Sequence, residues 1–166
     1  MENSKHENHT IIVAELGINH NGSIEIARAL IDKATQAGCD AIKLQKRTVD
    51  IVYSKQQLSE PRISPWGKTF GDHKRALELS IDQYVELQEY THDKGLKFIV
   101  SCWDINSLYE IEQSCLIDFY KIASPMITDL EFLKEVNNTQ KPVILSTGMS
   151  TNQQIGCAVN ILSKTQ

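Results

Sequence analysis

The feature that most constrains the fold is an alternation of short apolar segments with segments of helical periodicity, repeated five times along the chain. The apolar segments span residues 10–18, 41–45, 97–103, 118–124 and 141–148. The first is β-branched and apolar without strict alternation, which is typical of a strand buried on both faces. Five strand-then-helix units in sequence predict a parallel sheet joined by right-handed crossovers.

Capping signals support the helices that follow these strands. The first helix is predicted from Ser23 by its helical spacing of apolar residues. The other four have a candidate residue for the amino-terminal cap: Ser80 with Gln83, Asp104, Thr128 with Glu131, and Ser150 with Gln153. Gly38 and Gly95 are natural stops for the first two helices. Residues 48–70, in contrast, have no clear period and form a connection longer than usual, so we expect a functional or disordered loop there.

Two architectures fit this pattern, namely an open doubly wound sheet and part of an eight-unit barrel. A complete barrel needs about 200 residues or more, so 166 residues would contain only five of its units.

Composition excludes several classes of protein. With 17 basic and 21 acidic residues the net charge is −4, which gives no general attraction for nucleic acid or for an anionic membrane. The four cysteines form no C-x-x-C pair, so neither a zinc site nor a disulfide framework is indicated, and no spaced metal-binding triad is apparent. The polar first residues and the absence of a long apolar run predict a cytoplasmic protein.

Polar residues gather where the predicted strands end. They are Glu15 and Asn19 after the first strand, Lys43 and Gln45 in the second, Lys121 and Ser124 in the fourth, and Ser146 and Thr147 after the fifth. Ligands of parallel α/β folds bind at this end of the sheet. Two ammonium groups with several hydroxyls favour a phosphorylated carboxylic acid as ligand. The alternative for each lysine is a solvated side chain or an ion pair, and His20 is expected to be a hydrogen-bonding turn residue.

Four motifs in order resemble the amino-terminal barrel of the sialic acid synthase family. They are "AELGINHNG" from Ala14, "AIKLQ" from Ala41, "FYKIAS" from Phe119 and "VILSTGMS" from Val143. The segment "PWGKTFGDHKRALEL" is also similar to a tryptophan-glycine segment of that family. Such a series is more specific than any single motif. The resemblance implies a (β/α)8 barrel of the TIM type, with a disordered tail at residues 1–9 and the first five of eight units in a partial synthase barrel domain at residues 10–166.

The resemblance also implies an activity, the condensation of phosphoenolpyruvate with an N-acyl hexosamine such as N-acetylmannosamine to a nine-carbon 2-keto sugar acid and phosphate. Lys43, Lys121, Ser124 and Ser146 match positions that hold phosphoenolpyruvate in that family. A divalent metal, Mn²⁺ or Mg²⁺, is implied for the complete enzyme, with its histidine ligands on later strands and none in this chain. A homodimer is implied at full length, and we expect the chain alone to be inactive.

Glu15 is the predicted catalytic residue, which would stabilise the cationic second carbon of phosphoenolpyruvate and activate the water that adds to it. Pro125 and Met126 stand where sialic acid synthases commonly have glycine and an acid, so legionaminic, pseudaminic or another nonulosonic acid fits as a product equally well. Two alternatives remain: a non-catalytic barrel fragment or anion-binding module that needs partner segments, and a Schiff-base aldolase that uses Lys121.

Overall fold

The computed structural model describes residues 9–163 and contains five strands that are each followed by a helix, with additional short elements after the second strand. In chain order the elements are β1 (Val13–Gly17), α1 (Ile24–Gln36), β2 (Ala41–Lys46), α2 (Val49–Val52), α3 (Lys55–Ser59), β3 (Pro61–Ser64), β4 (Gly67–Thr69), α4 (Phe70–Ala76), α5 (Ile81–Asp93), β5 (Lys97–Cys102), α6 (Ile105–Ser114), β6 (Phe119–Ile122), α7 (Leu130–Asn138), β7 (Val143–Leu145) and α8 (Asn152–Leu162).

The main sheet is parallel, and its strands lie in the order β1-β2-β5-β6-β7. Each new strand is therefore added on the same side of the preceding one. A doubly wound sheet would reverse direction at a switch point, whereas the described strands all add in one direction, as the first strands of a barrel would. Within the described residues β1 and β7 are the two edges of the sheet.

The two faces of the sheet differ in character because successive side chains of a strand point to opposite faces. Alternate positions of the central strands pack against the helices and form the core: Ile42, Leu44, Phe98, Val100, Tyr120 and Ile122. The helices contribute Ile31, Leu87, Leu108, Ile111 and Leu133 to the same cluster. Each such buried side chain stabilises the fold by about 1.5–3 kcal/mol. The intervening positions, which include Lys43, Gln45 and Lys121, belong to the opposite face.

The expectation of a functional or disordered loop at residues 48–70 is wrong with respect to disorder. Two short helices, the antiparallel hairpin of β3 and β4, and the start of α4 occupy this segment. Capping boxes begin α3 at Ser54 with Gln57 and α4 at Thr69 with Asp72. These elements contain between 3 and 7 residues, which is too short for a hydrophobic period to be recognised.

The β1–α1 turn packs directly on the inserted segment, by which we mean residues 48–80, between β2 and α5. Gly22 has a φ of +76°, and a Cβ atom there would lie 2.0 Å from the carbonyl oxygen of Ala76 at the end of α4. Only glycine permits this backbone conformation together with such a close approach. The turn that follows Glu15 is thereby held against the insertion.

Two of the predicted caps are displaced by one residue. The box of Ser80 with Gln83 is confirmed, and so is Asp104. Asp129, and not Thr128, caps α7, whereas Thr151 with Gln154 caps α8 in place of Ser150 with Gln153. Neighbouring Ser, Thr and Asp residues can all cap a helix, so the backbone makes the choice: the amide of Ser150 already donates to the carbonyl of Thr147.

Other boundaries also move inward, because β1 spans only Val13–Gly17 and the fifth parallel strand only Val143–Leu145. Residues 1–8 of the predicted tail lie outside the described residues. His9 Nε2 lies 2.6 Å from Asp40 Oδ1. In the part of the chain that the structure describes, no helix is long and apolar enough to cross a membrane.

Candidate functional site

An ion pair joins the first two strands on the face opposite the helices. Glu15 on β1 lies opposite Lys43 on β2 in the strand register, and Glu15 Oε1 is 2.8 Å from Lys43 Nζ. The Lys43 side chain is only 5% exposed, whereas that of Glu15 is 56% exposed. The buried ammonium thus has a charge partner, which offsets part of its desolvation cost, while the carboxylate remains open to solvent and to a ligand.

Lys121, on β6, is the second cation of this face. None of the ion pairs within residues 9–163 involves it. Burial lowers its pKa, the Lys43 ammonium lowers it further, and Glu15 raises it. Lys43, Lys121 and Glu15 therefore influence one another electrostatically, as expected of residues that share one site.

The segments that carry the predicted hydroxyl groups lie beside one another after β6 and β7. Ser124 begins a single 3₁₀ turn, Ser124–Met126, and a Cβ atom on Gly148 would lie 3.6 Å from its Oγ. The Ser146 amide donates to the carbonyl of Ile122 at 3.0 Å, which holds the segment after β7 beside β6. Thr147 is exposed on the same segment.

The turn after β1 gives its residues different settings. Asn19 is exposed, and its amide donates to the carbonyl of Leu16 at 2.8 Å. His20 is buried, and its Nδ1 accepts a hydrogen bond from the Gly22 amide at 3.1 Å. The expected role of His20 as a hydrogen-bonding turn residue is confirmed. Burial lowers its pKa, the Gly17 carbonyl raises it, and the Arg47 charge lowers it.

Gly17 leaves space for two polar side chains at the end of β1. Its φ is +54°, and the strand register shifts between Glu15 and Gly17. A Cβ atom on Gly17 would lie 3.0 Å from Glu15 Oε1 and 3.3 Å from Gln45 Nε2. The absence of a side chain at this position therefore leaves room for the carboxylate and the amide side by side.

Two charged residues that were not predicted from the sequence, the buried Arg47 and the largely buried Glu78, lie next to this site. The two side chains form an ion pair with 3.2 Å between Arg47 Nε and Glu78 Oε1, and they are 3% and 12% exposed. Arg47 follows β2 directly, and its position at a strand end was a usable signal. Glu78 lies in an irregular connection before α5, where the sequence carried no signal.

A metal centre would need several donor side chains in one place. Within residues 9–163, no three side chains of His, Cys, Asp or Glu come together in a way that could hold a metal ion. The divalent metal that the family resemblance implies therefore has no fitting set of donor side chains within these residues.

Comparison with protein families gives a decisive match. The model described as the NeuB family matches residues 30–166. The chain belongs to the NeuB family. The N-acetylneuraminate-9-phosphate synthase of Drosophila melanogaster is 38% identical over 146 residues, or 87% of this chain and 39% of the relative. The N,N'-diacetyllegionaminic acid synthase of Legionella pneumophila is 30% identical over 152 residues, or 90% and 42%. The chain spans about two fifths of the length of these NeuB relatives.

Solved structures agree with this membership. The crystal structure of N-acetylneuraminic acid synthetase from Leptospira borgpetersenii serovar Hardjo-bovis, in complex with citrate, matches with a TM-score of 0.82 and 25% identity over 95% of this chain and 51% of that chain. A truncated 3-deoxy-D-arabino-heptulosonate 7-phosphate synthase from Thermotoga maritima matches with a TM-score of 0.64 and 13% identity over 95% and 49%. The second likeness concerns the fold alone, and together they support the parallel α/β fold predicted from the sequence.

Proposed function

We propose that this chain forms the phosphoenolpyruvate-binding part of a nonulosonic (sialic) acid synthase. Such an enzyme condenses phosphoenolpyruvate with an N-acyl hexosamine such as N-acetylmannosamine to give a nine-carbon 2-keto sugar acid and phosphate. The observation that carries the proposal is the placement of two lysines, Lys43 on β2 and Lys121 on β6, on one face of the sheet, where the charge of Lys43 also lowers the pKa of Lys121. A multiply charged anion between two ammonium groups is attracted by both and relieves their mutual repulsion.

The residues around the lysines suit the other parts of this ligand. Ser124, Ser146 and Thr147 would direct hydroxyl groups at the phosphate and carboxylate oxygens. Asn19 and Gln45, on the β1 side, would contact the acceptor sugar next to Glu15. The Leptospira synthetase forms a complex with citrate, a small carboxylate, which is in keeping with an anion site.

The chemistry that we assign to Glu15 follows from its position beside Lys43. Carbon 3 of phosphoenolpyruvate forms a bond to the aldehyde carbon of the open-chain sugar, and carbon 2 then gains cationic character. Water adds to carbon 2, and the bond between carbon 2 and the phosphate oxygen breaks. The water oxygen becomes the keto oxygen, and its two protons end on the sugar hydroxyl and the phosphate. Glu15 would stabilise carbon 2, orient the water and accept its first proton.

Several parts of the proposal extend to a longer protein. A divalent Mn²⁺ or Mg²⁺ remains a prediction for the complete enzyme, and no step above depends on it. Homodimer formation and a cytoplasmic location also stay predictions. We assign no single acceptor sugar, because the relatives are named as synthases of different nonulosonic acids. For a 9-phosphate product the acceptor would carry its phosphate on carbon 6, since the three carbons of phosphoenolpyruvate are added at carbon 1.

The test is calorimetric titration of the purified chain with phosphoenolpyruvate. Loss of one charge-assisted contact costs about 1.5–3 kcal/mol, so Lys121→Met should raise the dissociation constant roughly 10- to 100-fold. Lys134→Met is the matched control, because Lys134 is exposed on α7. Absence of binding to the wild-type chain, or an equal loss in the control, would contradict the proposal.

We expect the chain alone to release no phosphate from phosphoenolpyruvate with any acceptor. In the part of the chain that the structure describes, β1 and β7 have strand partners on one side only, and the catalytic face is correspondingly open. The assay is phosphate release with N-acetylmannosamine and its 6-phosphate, in the presence of Mn²⁺. A longer NeuB-family synthase is the positive control, and turnover within about tenfold of it would refute this expectation.

One observation favours a second candidate, a Schiff-base aldolase. Burial and the neighbouring Lys43 lower the pKa of Lys121, and a lowered pKa makes a lysine a better nucleophile. Borohydride reduction with pyruvate, followed by peptide mass spectrometry, would trap an adduct on Lys121. An unmodified Lys121 in a chain that binds phosphoenolpyruvate would exclude this candidate and leave synthase or simple anion binding.

A further inference from the structure

Arg47 is a buried cation that the chemistry assigned above does not use. It follows β2, and its guanidinium carbon lies 5.0 Å from the centroid of the Trp103 ring. Its backbone amide donates to Glu78 Oε2 at 3.1 Å, and its Nε is 3.2 Å from Glu78 Oε1. Burying a guanidinium is costly unless it is paired. The inserted segment supplies the required carboxylate, so Arg47 is held from two sides.

The free end of this guanidinium contacts a predicted substrate-binding residue. Arg47 Nη2 donates to the side-chain oxygen Oε1 of Gln45 at 2.5 Å. A guanidinium carries only donors, so the Gln45 atom that faces it must be the oxygen. A flipped Gln45 amide would place its NH₂ donors against the N–H donors of Arg47. The Gln45 backbone is fixed as well, because the Tyr84 hydroxyl donates to its carbonyl at 2.5 Å.

The opposite end of the Gln45 amide consequently points towards the site. Gln45 Nε2 lies 3.3 Å from the point that a Cβ atom on Gly17 would occupy, and Glu15 Oε1 lies 3.0 Å from the same point. The amide nitrogen of Gln45 and the carboxylate of Glu15 thus both border the space beside Gly17 at the end of β1.

We propose that Arg47 is a positioning residue that locks the Gln45 amide with its NH₂ group towards Glu15, so that Gln45 offers a ligand donors only. The identity of the ligand rests on the function proposed above, whereas the orientation of the Gln45 amide is independent of that function. Gln45 then selects an acceptor oxygen, such as a carbonyl or hydroxyl oxygen of the sugar or a carboxylate oxygen of phosphoenolpyruvate. Glu78, carried by the inserted segment, orients Arg47.

Nuclear magnetic resonance tests the geometry without any ligand. The NH₂ protons of Gln45, assigned through their disappearance in Gln45→Glu, should show a nuclear Overhauser effect to the α protons of Gly17 in the wild-type chain. Arg47→Met should abolish this effect, and Arg47→Lys, which retains a donor, should preserve part of it. The absence of the effect in the wild type would overturn the proposal without recourse to any variant.

Arg28→Met is the matched control for the loss of an arginine. Arg28 pairs with Glu86, and its guanidinium carbon lies 5.4 Å from the centroid of the Tyr90 ring, so it has the same two types of partner as Arg47. It lies on α1. Its replacement should leave the Gln45 resonances unchanged. An equal change in this control would show that Arg47 acts only through general stability.

Calorimetric titration with phosphoenolpyruvate and with N-acetylmannosamine tests the consequence for binding. Gln45→Glu keeps an acceptor for Arg47 but loses both donors, so the ligand that contacts Gln45 should bind about tenfold more weakly. Arg47→Met should weaken the same ligand, yet have no further effect in a Gln45→Ala background. A full effect of Arg47→Met in that background would refute positioning. If neither ligand binds the wild-type chain, the proposed function fails, and the Overhauser effect still decides on Arg47.

Discussion

Replacing Glu15 by Gln should have two opposite effects, one on stability and one on anion binding. At 2.8 Å, the attraction between two unit charges is about 1.5 kcal/mol at the dielectric constant of water and about 6 kcal/mol at an effective value of 20. Because Glu15 is more than half exposed, screening places the pair near the lower figure. We expect Glu15→Gln to lower the free energy of unfolding by about 1–2 kcal/mol, and the midpoint of thermal unfolding by roughly 5 °C.

Phosphoenolpyruvate should bind more tightly to the same variant. In the wild-type chain the anion competes with the Glu15 carboxylate for Lys43 and is also repelled by it. Removing about 1 kcal/mol of competition corresponds to a dissociation constant roughly fivefold lower. Calorimetric titration at low ionic strength, where these charges are least screened, measures the change.

The chain offers a closely matched control in Glu110→Gln. Glu110 Oε2 lies 3.0 Å from Lys46 Nζ, and the pair is 44% and 10% exposed, much like Glu15 and Lys43. Lys46, however, pairs with α6 and not with β1. This control should lose similar stability with an unchanged affinity for phosphoenolpyruvate. Weaker or unchanged binding in Glu15→Gln, or equally tightened binding in Glu110→Gln, would refute the reasoning.

Three further predictions concern pH and backbone conformation. Burial and Lys43 lower the pKa of Lys121 from 10.5, the value for an ordinary lysine. As the pH rises, phosphoenolpyruvate affinity should therefore begin to fall before pH 10.5 is reached, because Lys121 loses its charge. Constant affinity from neutral pH to 10.5 would contradict this. Burial alone would raise the pKa of Asp118, but hydrogen bonds from the Phe98 amide and His92 hold it below 3.8. Asp118→Asn should therefore lower the free energy of unfolding by about 1 kcal/mol at neutral pH. In urea unfolding this difference should vanish as the pH falls through the lowered pKa of Asp118. A cost that persisted in acid would exclude that linkage. Gly38→Ala should lower the free energy of unfolding by the roughly 1–2 kcal/mol of left-handed strain, and Gly17→Ala should lower it by more, because of these two glycines only Gly17 has side chains within 4 Å of the added Cβ. Equal thermal shifts would show that crowding at Gly17 is unimportant.

The sequence by itself determined the features that depend on neighbouring residues. The alternation of strands and helices, the capping box at Ser80 and the burial of Lys43 within an apolar strand all follow from local patterns. The direction of sheet growth did not, because both architectures use the same strand-helix unit. The order β1-β2-β5-β6-β7 appears only once the strands pair. Short elements such as β4 also needed the folded structure, since three residues carry no detectable period.

The candidate site divides in the same way. Glu15, Lys43 and Lys121 could be predicted because a charged residue in or after an apolar run is a visible exception, and parallel strands bring their carboxyl ends to one edge. That Glu15 pairs with Lys43 depends on strand register, which the sequence leaves open. The contact of Arg47 with Glu78 joins residues 31 positions apart through an irregular segment. Only tertiary packing decides such pairs, because no local pattern links a strand end to the loop that covers it.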